Sequence, residues 1–317
     1  MSNETAGGDG RWERETLEKL VFQTLREQRS QRRWRIFTRL LWLSLFVVVI
    51  WLVYQSGRLT PSPSTPHTAV VEIRGAIAAG SEASADQVIG SLRAAFEDSG
   101  SRGVVLLINS PGGSPVQAGI INDEIFRLKG LHGKPVYAVV GDTCASAAYY
   151  IASAADAIYV NKASIVGSIG VLMDGFGFTG LMEKVGVERR LMTAGENKAF
   201  LDPFSPQDEE QRAYIQGMLD EIHRQFIEVV RKGRGDRLKE DAGVFTGLIW
   251  SGQQAVSIGL ADGLGTLDSV ARDLIQAEDI VDYTQREHLG LRLVRSLGAS
   301  IGEGIARAAG STGIQLR

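Results

Sequence analysis

Ser146 stands in the run Gly141-Asp142-Thr143-Cys144-Ala145-Ser146-Ala147-Ala148, crowded by small residues at the start of a helical pattern. By default a serine there is an N-cap. The N–H groups of a helix start also favour developing negative charge, which suits a nucleophile's surroundings. A second small-residue turn is Asn109-Ser110-Pro111-Gly112-Gly113-Ser114. Its paired glycines can take positive φ and aim backbone N–H groups at a ligand; an ordinary turn is the competing reading. A serine nucleophile needs a base. The Gly-x-Ser-x-Gly elbow is absent, because Cys144 and Ala148 hold the flanking sites. The four histidines fall in a spacer (His67), a glycine-containing turn (His132), an amphipathic helix (His223) and the tail (His288). That demotes a Ser-His-Asp triad and leaves a neutral lysine. Lys162, Lys184, Lys198, Lys232 and Lys239 follow Ser146. Lys184, Lys232 and Lys239 sit on charged faces or turns. Lys162 ends a strand. Lys198 lies in a loop beside Ala199, Phe200 and Leu201, where read alone it is a surface lysine. Cys144 reads as a small buried side chain.

These residues need elements to carry them. Apolar patterning predicts strands over 70–77, 103–109, 135–140, 157–160 and 188–193. It predicts helices over 85–98, 116–131, 147–155 and 207–232. The 103–109 run, GVVLLIN, is continuous and suits a strand buried on both faces. Strand–helix alternation predicts an α/β fold with parallel strands. Gly175-Phe176-Gly177-Phe178-Thr179-Gly180 fits a dinucleotide fingerprint, but no ribose-binding acid ends a strand about 20 residues on. Gly133-Lys134-Pro135 is no Walker loop, so no ATP use is expected.

Composition bounds the rest. The 317 residues carry 34 basic and 37 acidic side chains, a net charge of −3, so nucleic acid is not an implied partner. One cysteine allows no internal disulfide, and no metal or cofactor site is read. Charge is uneven: residues 1–39 hold nine basic and six acidic residues, while the remaining 278 hold 25 and 31. Uncharged 40–54, LLWLSLFVVVIWLVY, follows Arg39 directly; started at Ile36, the segment 36–54 is long enough for a signal anchor. The arginines before it predict a cytoplasmic N-terminal segment, 1–35, with the bulk of the chain outside. A Pro/Ser linker, 55–68, holds that bulk off the membrane. In the tail, Leu289, Leu293, Leu297, Ile301 and Ile305 would make an apolar helical stripe.

Taken in order, INSPGG at 108–113, ASAAYYIASAADAIY at 145–159, VGSIGV at 166–171, AGENK at 194–198, KGRG at 232–235 and VFTGLIWSGQQAVSIGLADGLG at 244–265 resemble the signal peptide peptidase A family, in its short single-domain form. The resemblance spans roughly 69–275, which marks 69–275 as the protease domain and 276–317 as a tail. It implies a Clp-protease/crotonase-like spiral of βαβ units preceded by one transmembrane helix. It implies an ATP-independent serine endopeptidase of the bacterial inner membrane that cleaves remnant signal peptides, with no cofactor. Ser146 would be the nucleophile and Lys198 the general base. The N–H groups of Gly113 and Ala147 would form the oxyanion hole, and Ser168 would orient the lysine amine. Ala147-Ala148 replaces glycines of many relatives, a change of packing more than of chemistry. A ring-like homo-oligomer, an octamer in the family, would surround the site. The alternatives are an inert crotonase-like membrane scaffold, which should lack Ser146 or Lys198, and an acyl-CoA enzyme, which the external location disfavours.

Overall fold

A run of apolar residues without a break becomes a helix exposed along its whole length. In a computed structural model, which describes residues 32–51, 65–239 and 243–286, helix α1 runs Arg32–Trp51. Its 20 residues correspond to about 30 Å, the thickness of a bilayer's hydrocarbon core. The helix is long and apolar enough to cross a membrane, and it starts four residues before the expected anchor segment 36–54, taking in Arg32, Arg33 and Arg35. Residues 1–31, Leu52 to Tyr54, most of the Pro/Ser spacer and the stripe beyond residue 286 lie outside the described residues. Contacts divide the chain into two units, 1–61 and 62–317.

The second unit is built on one sheet. Strand β2 (Ser101–Ser110) lies between β1 (His67–Arg74) and β3 (Val136–Ala145), all parallel. Helices α2 (Ala85–Glu97), α3 (Pro115–His132) and α4 (Ala147–Ala152) connect successive strands. Both faces of β2 are buried, as its unbroken apolar run requires. Val104, Leu106 and Ile108 pack toward the helices with Leu92, Ile121 and Tyr149. Val105 packs the other way, with Val70, Val139, Val270 and Ile275.

β3 turns the sheet into a spiral. Its first half pairs with β4 (Ala157–Val160). Its second half, Thr143 to Ala145, pairs with β5 (Ile165–Gly167). β6 (Ile249–Ser251) adds antiparallel to β5, and β7 (Gly263–Leu264) parallel to β4. The α/β spiral of βα units is the architecture the resemblance implies. β8 (Ile280–Asp282) pairs with β1, so the sheet takes in residues beyond 275. Just after it, the Tyr283 hydroxyl donates to Asp98 at 2.7 Å, and the buried His67 ring lies 2.9 Å from the same oxygen.

Between β5 and the next long helix comes an irregular stretch, 170–208, holding only the short helix α5 (Thr179–Lys184). The strand expected over 188–193 is not there. Those residues are exposed and unpaired with any strand, and Arg189 instead bonds Asp202 at 2.6 Å and stacks on Phe204. The glycines of the dinucleotide-like motif lie on this stretch too, away from any strand end. Helix α6 (Glu209–Arg234) follows; of its 26 residues only Phe226, Val230 and Arg234 are buried. Helices α7 (Gly252–Ser257) and α8 (Leu267–Val270) complete the unit.

Candidate active site

Ser146 caps α4 at the end of β3 with φ 53° and ψ −125°. Such a backbone costs a non-glycine residue roughly 1–3 kcal/mol and persists only where the surroundings over-determine it. Here they do. The Ser146 N–H donates to the Gly167 carbonyl at 2.8 Å. Cys144, Ala147 and Ala148 are all in the core. Below them Tyr149 is fully buried, and its hydroxyl donates to the Leu260 carbonyl at 2.7 Å. Burial pushes the Cys144 thiol and the Tyr149 hydroxyl far up from their ordinary pKa values. Cys144 is therefore an inert thiol, as its sequence setting suggests. The Ala147-Ala148 pair is packing, with relative exposures of 4% and 0%.

The two small-residue turns are neighbours in space. A Cβ on Gly112 would sit 2.7 Å from both the Ala145 carbonyl and the Ser146 Cβ, so only glycine fits against the serine turn. Gly113, at φ 149°, would drive a Cβ into the Ile77 carbonyl. A parallel bridge joins Gly113 to Ile77. It uses the Gly112 carbonyl and the Ser114 N–H, which leaves the Gly113 N–H unspent. The Ala147 N–H is the first of a helix and has no intrahelical acceptor. Two donors thus flank one serine.

Ser168 arrives from β5. Its φ is 52°, and its N–H donates to the Leu248 carbonyl at 2.8 Å. The hydroxyls of Ser146 and Ser168 have no protein partner among the described residues. Gly113, Ser146, Ala147 and Ser168 line one cavity of about 990 Å³. The structure therefore brings together four of the five residues singled out from the sequence.

Lys198 is not among them. It closes the turn from Gly195, with its N–H donating to the Gly195 carbonyl at 3.1 Å, and its side chain is exposed. Lys162 is likewise exposed and does not line the cavity.

His223, set on an amphipathic helix by the sequence and set aside there as a base, is part of the site. It lines the cavity, and its Nε2 donates to the Ile169 carbonyl at 3.1 Å, next to Ser168. The signal was present: His223 lies three residues before Phe226 and seven before Val230, on the one face of α6 that is buried. Asp123, Tyr150 and Asp220 also line the cavity and were not singled out. The Tyr150 hydroxyl is raised above its usual pKa, first by burial and then by Asp123.

Such an arrangement can present a hydroxyl oxygen to a carbonyl carbon and stabilise the oxygen that becomes negative. Known proteins point the same way. The model of peptidase family S49 matches residues 130–281. Two proteins named Na(+)/H(+) antiporter NhaA, from Brucella melitensis and Brucella abortus, are each 43% identical over 208 residues. That match covers 64% of this chain and 28% of theirs, so the chain spans little more than a quarter of their length. A putative signal peptide peptidase of Enterococcus faecium is 33% identical over 192 residues, 61% of this chain and 56% of that one. A putative protease of Methanocaldococcus jannaschii is 35% identical over 215 residues, 66% of this chain and 68% of that one. An α/β spiral, a strained serine flanked by free donors, and identity at this level across two thirds of a relative's length together place the chain in peptidase family S49.

Proposed function

We propose that the protein is a membrane-anchored serine endopeptidase that works without ATP. The observation that carries this reading is the Ser146 hydroxyl: unpartnered, on a strained backbone, between the free N–H groups of Gly113 and Ala147. Ser146 attacks the scissile carbonyl, and those two N–H groups hold the tetrahedral oxyanion. Lys198 takes the serine proton and delivers it to the leaving amine. Water then releases the acyl group by the reverse route. A lysine does this only as the neutral amine, a form that removal from water favours. Ser168 accepts from that amine and orients it.

The exposure of Lys198 on the 170–208 stretch supports a site completed by assembly. In that reading a neighbouring copy in a homo-oligomeric ring brings its lysine to Ser146 and covers it. The substrates are extended peptides left in the membrane, remnant signal peptides among them, in line with the name of the Enterococcus relative. The chain crosses the inner membrane once through α1, with the arginine-rich side cytoplasmic and the bulk of the chain, from about residue 55, outside.

A serine-directed fluorophosphonate probe on the full chain in detergent tests the reading. The parent protein is labelled, and Ser146→Ala and Lys198→Ala are not. Equal labelling of Ser146→Ala overturns the assignment of the nucleophile. Full labelling of Lys198→Ala moves the base to another residue, Lys162 first.

A further inference from the structure

The cavity around Ser146 has an uneven charge. Its lining is largely apolar or small, and the formally charged residues in it are two carboxylates, Asp123 on α3 and Asp220 on α6. Among the described residues, no lysine or arginine lines it. A cation does stand behind one wall: Arg231 stacks at 5.1 Å on the ring of Phe245, which lines the cavity. His223 is the one titratable base in the lining, and one of its nitrogens is used on Ile169. Asp220 accepts from Gln216 at 2.8 Å. Asp123 has neither hydrogen bond nor ion pair among the described residues. Asp123 and Asp220 are both exposed in the single chain, but a carboxylate that lines a substrate-sized cavity with no basic side chain beside it in the described lining biases what enters.

Asp123 does not stand alone. Its charge reaches the Tyr150 hydroxyl. The Tyr150 ring packs on Phe226 at 5.1 Å, and its N–H donates to the Ser146 carbonyl at 3.1 Å, so this wall is tied to the serine turn itself. One turn before Asp123, α3 carries Gly119. Glycine inside a helix costs about 1 kcal/mol relative to alanine. Its missing side chain leaves a notch over Tyr150: a Cβ there would lie 3.8 Å from the tyrosine hydroxyl. Val116 and Ile120, both exposed, border the notch on the same helix. The result is an apolar-sided slot with an aromatic ring in its floor and a carboxylate at its end. That combination suits a long aliphatic stem with a cationic head, through stem packing, ring–cation attraction and ion pairing.

We propose that Asp123, Tyr150 and the Gly119 notch form a subsite for a lysine or arginine side chain of the bound peptide, with Asp220 on the opposite helix adding to the negative field. The proposal rests on the reading of this cavity as a peptide-binding cleft. Substrates would then be apolar peptides carrying a basic residue at one fixed distance from the cleaved bond.

The test measures binding rather than turnover, so that it does not depend on catalysis. Full-length Ser146→Ala protein in detergent is titrated at low salt with fluorescent short apolar peptides. Each carries lysine, or its uncharged isostere norleucine, at successive positions. At one position the lysine peptide should bind about three- to fivefold tighter, the size expected of a solvent-accessible ion pair aided by an aromatic face. Adding Asp123→Asn should bring the ratio to about one, Asp123→Glu should keep most of it, and high salt should compress it. A ratio of one at every position, or a ratio that survives Asp123→Asn, overturns the subsite. Failure of both peptides to bind overturns the subsite and the cleft together. A ratio of one in a protein whose parent form takes the acylating probe overturns the subsite alone.

Discussion

The two sides of the site are made differently. On the nucleophile side every residue is fixed by its own chain: Gly112 against Ala145, Ser146 against Gly167, Ser168 against Leu248, with α4 packed into the core beneath. On the lysine side, residues 170–208 carry almost no regular structure. Leu172, Phe176 and Met192 there are exposed by 81%, 78% and 95%. The long helix that follows shows Tyr214 and Met218 to solvent before its last turns enter the core. A lone apolar side chain on a surface means little. A whole stretch of them, running on both sides of the one proposed catalytic residue outside the cavity, is what the proposed assembly would cover. In the proposed reading the difference is a division of labour: the spiral would position the attacking atom, and assembly would supply the base.

The largest test of that contrast is catalytic. Ser146→Ala and Lys198→Ala should each cut peptide hydrolysis by on the order of 10⁴-fold, and the double variant little further, since the two act as one unit. Thermal melting should not move for Lys198→Ala, because the exposed side chain makes no hydrogen bond or ion pair among the described residues. Mixing the two single variants during assembly should restore activity if the dyad is built across copies. No recovery on mixing places both groups in one chain.

Next in size is Gly113→Ala. It should cost about 3 kcal/mol in chemical denaturation and abolish acylation, since the new Cβ meets the Ile77 carbonyl. Undiminished stability would show that the glycine turn is looser than the contrast requires.

Smaller again is an acid test of the packed side. Arg127 and Arg93 hold Glu124 at a pKa lowered from 4.5 to about 2, chiefly through the Arg127 hydrogen bond. A depressed carboxylate contributes stability that is complete above its unfolded value and drains away as pH falls through the folded one. Glu124→Gln should therefore lower stability by about 1 kcal/mol at pH 7, modest because both arginines are more than half exposed. It should also flatten the loss between about pH 4.5 and pH 2, as read by denaturant midpoints. The smallest effect belongs to the open side. Met192→Ser should change the denaturant midpoint of the isolated chain by less than about 0.5 kcal/mol, yet weaken assembly in analytical ultracentrifugation. A reversal of those two results would mean that the stretch belongs to the fold rather than to its neighbour.

Much of the packed side could be read from residue types. The unbroken 103–109 run became the central strand, extended to 101–110 because Ser101 and Ser110 are buried there too. The 157–160 strand fell where it was expected. Small residues around Ser146 and Gly112 marked turns that do meet. Two things could not be read locally. β3 runs on to Ala145 through exposed Gly141 and Asp142, because β5, some twenty residues later, supplies the hydrogen bonds. The 188–193 segment has strand-forming residues but no sheet edge to join, so propensity gave the wrong answer where tertiary pairing was missing. His223 was legible as a helix face, but not as a cavity wall, because only the fold brings Ile169 to it.

The pairing of β1 between β2 and β8 has a mechanical consequence. A pull entering the second unit at residue 65 acts along β1, whose eight residues are registered against β2 on one edge, with Thr68, Ala69 and Val70 also registered against β8 on the other. Because all three strands are parallel, that load shears many hydrogen bonds at once instead of peeling them singly. His67, Tyr283 and Asp98 clamp the loaded end. Force arriving through the chain's N-terminal side is thus shared between β2 and β8 before it reaches Ile77, whose bridge to Gly113 ties the far end of β1 to the serine turn.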